Sequence, residues 1–190
     1  VEDSSIYIGV IPENTSNTSA RRNTVIGFNA LEDLTTGKNN IALGYNALNK
    51  NTYGNNNIAI GNNSSLKTKT INNIAIGNNA LSNFNKDNGL GNNIAIGNNA
   101  MKNHTGFSMT SGTVIETGMA NIAIGNYTLG GNLDLTSLSE FQYNVCIGDS
   151  IAFKQPALTK NVILGYRSGY QTNSTDNVII GYQAGVELNQ

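Results

Sequence analysis

A five-residue pattern, Asn-apolar-any-apolar-Gly, recurs from one end of this chain to the other and limits every fold the chain can adopt. It reads SIYIG at 5–9, NTVIG at 23–27, NIALG at 40–44, and NIAIG at 57–61, 73–77, 93–97 and 121–125. NVCIG at 144–148, NVILG at 161–165 and NVIIG at 177–181 complete ten copies. Glycine closes all ten (Gly9, Gly27, Gly44, Gly61, Gly77, Gly97, Gly125, Gly148, Gly165 and Gly181), and asparagine opens nine. The Gly-to-Gly steps are 18, 17, 17, 16, 20, 28, 23, 17 and 16, so a base period of 16–18 residues carries three enlarged steps side by side.

A unit of that length is too short for two helices and a turn. It suits two short strands and two turns, one coil of a β-solenoid. The expected fold is therefore all-β, a parallel β-solenoid of about ten coils forming one repeat domain over 1–190. At the usual strand spacing the rod would measure roughly 45–50 Å. A second short element follows many of the glycines, as in FNAL (28–31), YNAL (45–48), NNAL (78–81) and NNAM (98–101). Both prolines, Pro12 and Pro156, fall in connectors, where they interrupt no hydrogen-bonded rung. Glycine suits a sharp bend repeated in every coil, because it takes positive φ freely. The asparagines fit either an amide ladder from coil to coil or caps on their own turns, and the letters alone do not separate these.

Composition excludes several classes. Charged residues make up 12% and the net charge is −1, so there is no basic field for a nucleic-acid backbone. No apolar run reaches the ~20 residues of a membrane-spanning helix. One cysteine, Cys146, rules out an internal disulfide framework. The chain holds 34 asparagines and 21 glycines, a composition that also occurs in disordered tracts, but the regular apolar placement argues for order. A start at Val1 rather than methionine reads as a processed product or part of a longer fibre.

In each pentapeptide the first and third apolar residues point one way and the middle residue the other. Both sets are apolar in every coil, Thr24 excepted. The middle set is Tyr7, Val25, Ala42, Ala59, Ala75, Ala95, Ala123, Cys146, Ile163 and Ile179. A thin solenoid has one interior, so the other set must be covered from outside, and the chain is expected to associate side by side along its length. The small middle residues, from Ala42 to Ile179, suit close approach of neighbouring chains. The alternative puts them inside and makes the larger set the interface.

The repeats resemble the head domains of trimeric autotransporter adhesins of the YadA type, left-handed parallel β-rolls of S/N-V/I-A-I-G coils. The closing stretch NVILGYRSGYQTNSTDNVIIGYQAG (161–185) is similar to the Asn- and Gly-rich repeats of phage tail fibres. The resemblance covers Ser5 to Gly185 and implies a left-handed roll and a parallel homotrimer. It further implies an extracellular setting on a virion fibre or cell surface. The longer period, and the absence of a coiled-coil stalk or anchor in the sequence, tilt the comparison towards the viral group.

The enlarged steps hold residues 82–91, 102–120 and 130–143 and are expected to emerge together as a lateral lobe. Loops on a rigid scaffold commonly carry binding. The candidate ligand-binding residues are Phe84, His104, Phe107, Glu116, Asp134, Glu140, Phe141 and Tyr143, aromatic rings beside carboxylates that fit a host glycan or protein. The competing reading packs those rings against the rod. No catalytic residue, cofactor or metal is assigned. His104 is the single histidine, so one chain lacks a zinc set. No nucleophile elbow or phosphate loop occurs. The expected function is non-enzymatic: a fibre segment that attaches to a host or cell surface, or else a passive spacer. A bacterial surface adhesin is a further alternative. An ice-binding solenoid would need threonines in register, and a glycan depolymerase would need a carboxylate pair. Glu116 with Asp134 or Glu140 is the only grouping to consider for such a pair.

Overall fold

A computed structural model describes residues 5–9, 20–84, 91–104, 107–110, 113–116, 118–130, 141–153, 158–170 and 175–186. The described residues contain strands, bridges and turns but no helix. The first six strands are β1 (Ile6–Gly9), β2 (Thr24–Gly27), β3 (Ile41–Leu43), β4 (Ile58–Ile60), β5 (Ile74–Ile76) and β6 (Ile94–Ile96). Next come β7 (Phe107–Thr110), β8 (Thr113–Glu116), β9 (Ile122–Ile124) and β10 (Phe141–Gln142). The last are β11 (Val145–Ile147), β12 (Leu158–Thr159), β13 (Val162–Leu164) and β14 (Val178–Ile180).

Ten of these form one parallel sheet in the order β1-β2-β3-β4-β5-β6-β9-β11-β13-β14. Each pairs residue for residue with the next copy of the pentapeptide: Ala42 with Ala59, Ala59 with Ala75, Ala75 with Ala95, Ala95 with Ala123. Parallel strands thus stack as a β-solenoid. β10 and β12 make a short second parallel pair. β7 and β8 form an antiparallel hairpin inside the 102–120 insertion, with Phe107 opposite Glu116. The sequence reading did not anticipate it, although FSMT and TVIE are separated only by Ser111 and Gly112.

The second element departs from expectation. It is a run of turns rather than a strand, with Asn46 and Leu48, Asn79 and Leu81, and Asn99 and Met101 at φ between 49° and 57°. Alternate residues in the left-handed region keep the backbone from extending. Its amides still bond coil to coil, as Leu48 N–H to the Ser64 carbonyl (3.1 Å) and Leu81 N–H to that of Ala100 (2.9 Å).

The glycine ladder has two causes. All ten glycines lie at φ between 125° and 138°, a region closed to residues bearing a side chain. They also approach one another: a Cβ on Gly61 would stand 2.6 Å from the Gly77 carbonyl oxygen.

The asparagines divide into two populations. Those opening the pentapeptide, from Asn23 to Asn161, are buried. Their Oδ1 atoms accept the backbone N–H of the next coil: Asn57 to Asn40 (2.9 Å), Asn73 to Asn57 (2.9 Å), Asn161 to Asn144 (3.0 Å) and Asn177 to Asn161 (3.0 Å). Ser5, the exception in the sequence, fills the first rung by accepting Asn23 N–H through Oγ (3.0 Å). Nδ2 meanwhile donates to a turn carbonyl, Asn40 to Gly54 (2.9 Å) and Asn57 to Thr70 (2.8 Å). Ladder and cap are therefore one device. The preceding residues (Asn39, Asn56, Asn72 and Asn92) sit at φ between 51° and 61°, where asparagine is tolerated, and stack as an exposed row of amides.

Between the sheet and the turn element lies the core, which falls into two clusters. One runs from Ala20 to Ala59 and the other from Ala75 to Ile179. The coil between them turns Ser64, Ser65, Thr68 and Thr70 inward, all 0–1% exposed, with Ser65 Oγ bonded to Thr68 Oγ1 (2.7 Å).

Candidate functional site

The strand faces decide what a partner can touch, and the first expectation about them is corrected. Ala42, Ala59, Ala75, Ala95, Ala123, Cys146 and Ile163 are all 0% exposed, and Ile179 is 6% exposed, within a single chain. They face its own interior and offer no surface to another chain. The cause is volume. Leu31, Leu48, Leu81 and Met101 from the turn element fill the space in front of the strands, and small residues leave room for them. Burial pushes the Cys146 thiol up to about 12.

The larger set instead forms the outer face of the sheet, from Ile6 and Ile8 to Val178 and Ile180. Apart from Thr24, every side chain on it is Ile, Leu or Val. Exposure is about half at Ile6 and Ile8 and highest at Val178, with the middle strands half-buried. Beside this face the rings of Phe28 and Tyr45 stack (6.1 Å between centroids), as do those of Tyr166 and Tyr182 (5.6 Å).

The predicted ligand-binding group does not assemble. Phe84, His104 and Phe141 are brought together, but inside: Phe84 stacks on His104 at 5.7 Å and His104 meets the edge of Phe141 at 5.3 Å, all buried. They are core residues, a correction to their assignment as a sugar platform. Aligned on the glycines, Phe84 and His104 occupy the interior position of Leu34, Asn51 and Thr68, seven residues after each glycine. His104 Nε2 lies 3.3 Å from Asn121 Nδ2, whose closer partners are the carbonyls of Phe141 (2.9 Å) and Met119 (3.1 Å). Burial lowers its pKa to about 4, against a smaller upward pull from a hydrogen bond with the Gly118 backbone. Tyr143 is exposed, Phe107 and Glu116 are paired positions in the β7–β8 hairpin, and Asp134 and Glu140 lie outside the described residues.

Among the described residues, two open cavities lie on the connecting segments of successive coils. One, of about 430 Å³, is lined by Thr36, Lys38, Asn39, Tyr53, Asn55 and Asn56. The other, of about 290 Å³, is lined by Asp33, Lys50, Thr52, Lys67 and Lys69. Thr35 and Thr36 N–H groups both donate to the Thr52 carbonyl (2.8 and 3.1 Å), and Lys38 N–H donates to Asn55 Oδ1 (2.8 Å), which joins the two walls. Lys50 Nζ stands 3.2 Å from Asp33 Oδ2. The sequence reading passed over these residues, yet a signal was present. Four of the eight lysines fall between 38 and 69, and Lys50 and Lys67 are one coil apart.

Fold and surface together define a charge-poor parallel β-solenoid with an apolar outer sheet face and a lysine-bearing side. No family model matches the chain, and neither curated proteins nor solved structures give a match.

Proposed function

We propose that this chain is a structural and adhesive segment of a trimeric fibre that attaches to a host or cell surface, with no enzymatic role. The carrying observation is the outer sheet face. An apolar stripe from Ile6 to Ile180 is larger than a soluble monomer normally leaves uncovered, and its regular, in-register repeat suits a second copy of itself. Three chains in parallel, a left-handed winding and a virion or cell-surface setting follow from the resemblance of the repeats to tail-fibre and YadA-type adhesin sequences. Light scattering on a size-exclusion column tests the reading. The mass should be near three times 20.1 kDa, and Ile76→Glu on the outer face should lower it while leaving the circular dichroism unchanged. A monomeric mass for the unaltered chain would overturn it.

A second reading, a passive spacer with its receptor tip elsewhere, gains from the burial of Phe84, His104 and Phe141, which removes three rings from the proposed lobe. Replacing 105–117 and 131–140 with short linkers separates the two. Lost attachment supports an adhesive lobe, and attachment through another part of the fibre supports the spacer.

A further inference from the structure

We infer that the rod has a built-in joint between the fourth and fifth copies of the pentapeptide, at which the N-terminal coils part from the rest as one unit. Among the described residues the apolar core is interrupted there: Ala59 belongs to one cluster and Ala75 to the other, although the two are paired rung to rung in the main sheet. Strand spacing explains why pairing does not join them. Stacked alanines stand about 4.8 Å apart, beyond the ~4.5 Å reach of an apolar contact. Continuity of the core therefore falls to the larger residues of the turn element, Leu31 and Leu48 on one side, Leu81 and Met101 on the other. In the coil between them Ser65 holds that place, four residues after its glycine. Thr68 likewise holds the place of Leu34 and Phe84.

Hydrogen bonds do cross the joint. Ser65 N–H donates to the Ala80 carbonyl (2.8 Å), Lys67 N–H to that of Ser82 (3.2 Å), and Asn73 N–H to Asn57 Oδ1 (2.9 Å). The neighbouring joints have the same kind of bonds, as from Leu48 N–H to Ser64 and from Leu81 N–H to Ala100. What this joint lacks is apolar burial, and the buried, partnerless Ser64 hydroxyl adds a cost of its own. In a solenoid each coil touches only its neighbours, so stability is close to a sum of coil and joint contributions. The weakest joint then divides the rod into units that open separately. Of the two clusters the N-terminal one is smaller, nine buried residues against sixteen among those described. It opens first, while the coils from Ala75 onward stay closed. Under load or heat such a rod gives at a fixed place rather than along its whole length. The joint does not depend on the fibre reading.

The test is native-state amide exchange of the intact chain, read residue by residue by NMR in low urea at one protomer concentration. Leu31, Leu48, Ser65 and Lys67 N–H groups bond to the carbonyls of Ala47, Ser64, Ala80 and Ser82, so all four are freed when the N-terminal unit opens. Leu81, Met101 and Leu129 N–H groups bond to Ala100, Thr128 and Ile151 and stay closed. The first four should share one protection factor and the last three should exceed it at least ten-fold, with the step between Lys67 and Leu81. A smooth decline from the middle towards both ends is fraying, and it would overturn the proposal, as would one value throughout. Ser65→Leu with Thr68→Leu restores residues that adjacent or equivalent coils carry at Leu48, Leu81 and Leu34, and should erase the step. A step that survives in the folded double variant also overturns it. The unaltered chain is read without any substitution, so the joint is tested even if that variant does not fold.

Discussion

Asn56 and Asn57 are neighbours with opposite prospects. Truncating Asn57 to alanine removes an Oδ1 that accepts both Asn73 N–H (2.9 Å) and Asn73 Nδ2 (3.0 Å), and an Nδ2 that donates to the Thr70 carbonyl (2.8 Å). Asn73 Nδ2 keeps Thr70 Oγ1 (2.8 Å) and the Ile71 carbonyl (3.2 Å), but its backbone N–H and the Thr70 carbonyl lose these partners. Each stranded buried group costs about 1–3 kcal/mol, so Asn57→Ala should cost about 4 kcal/mol. Asn56→Gly also removes two amide bonds, to Asn39 and Asn72, but these are exposed, and water replaces them. Glycine keeps φ at 58° without strain, so that change should stay within about 1 kcal/mol. Urea unfolding followed by circular dichroism, at one fixed protomer concentration, compares the two. Equal costs, within about 0.5 kcal/mol, would refute the claim that the buried amide column and not the exposed one holds the coils together.

Three further outcomes are expected. Ser64 places a buried hydroxyl, with no partner in the structure, at the position held by Ala47 and Ala80 in adjacent coils, so Ser64→Ala should raise stability by about 1 kcal/mol in the same assay. The Cys146 thiol should resist an aromatic disulfide reagent at pH 8 until the chain unfolds. Rapid labelling of native protein would return the middle set to the surface. His104 is neutral when folded and protonates at about pH 6.5 when unfolded, so between those conditions the unfolded chain holds the extra proton. Stability from this residue is full above pH 6.5 and falls by about 3 kcal/mol as pH drops to about 4, and His104→Phe should flatten that slope in a pH series of melting curves.

The glycine spacing made the sheet legible: each pentapeptide became a strand, in the expected order and in register. The facing of the strands was misread because larger apolar residues were assumed to be the buried ones. Parity held the correction. Asn57 directly precedes β4 and stands two residues before Ala59, so a buried amide column carries the alanines inward and sends Ile58 and Ile60 out. The aromatic cluster failed for a related reason. Phe84 and His104 were grouped by their nearness to the insertions, whereas their constant offset from Gly77 and Gly97 marks them as interior. The turns of the second element stayed hidden because leucine and methionine, at Leu48, Leu81 and Met101, rarely adopt left-handed φ. The lysine side was legible only as a local excess of one residue type.

The register of the main sheet is indifferent to how far the chain travels between strands. A step of 16 residues from Gly61 to Gly77 and one of 28 from Gly97 to Gly125 both advance the stack by a single rung. Inheritance can exploit that indifference. Because NIAIGNN stands at both 73–79 and 93–99, a whole coil can be added or removed between such runs without altering either flank. Such an event changes the number of rungs and leaves each glycine facing a glycine and each asparagine an asparagine. Length and loop content can then vary independently in descendants of this chain, one by copying and the other by point change.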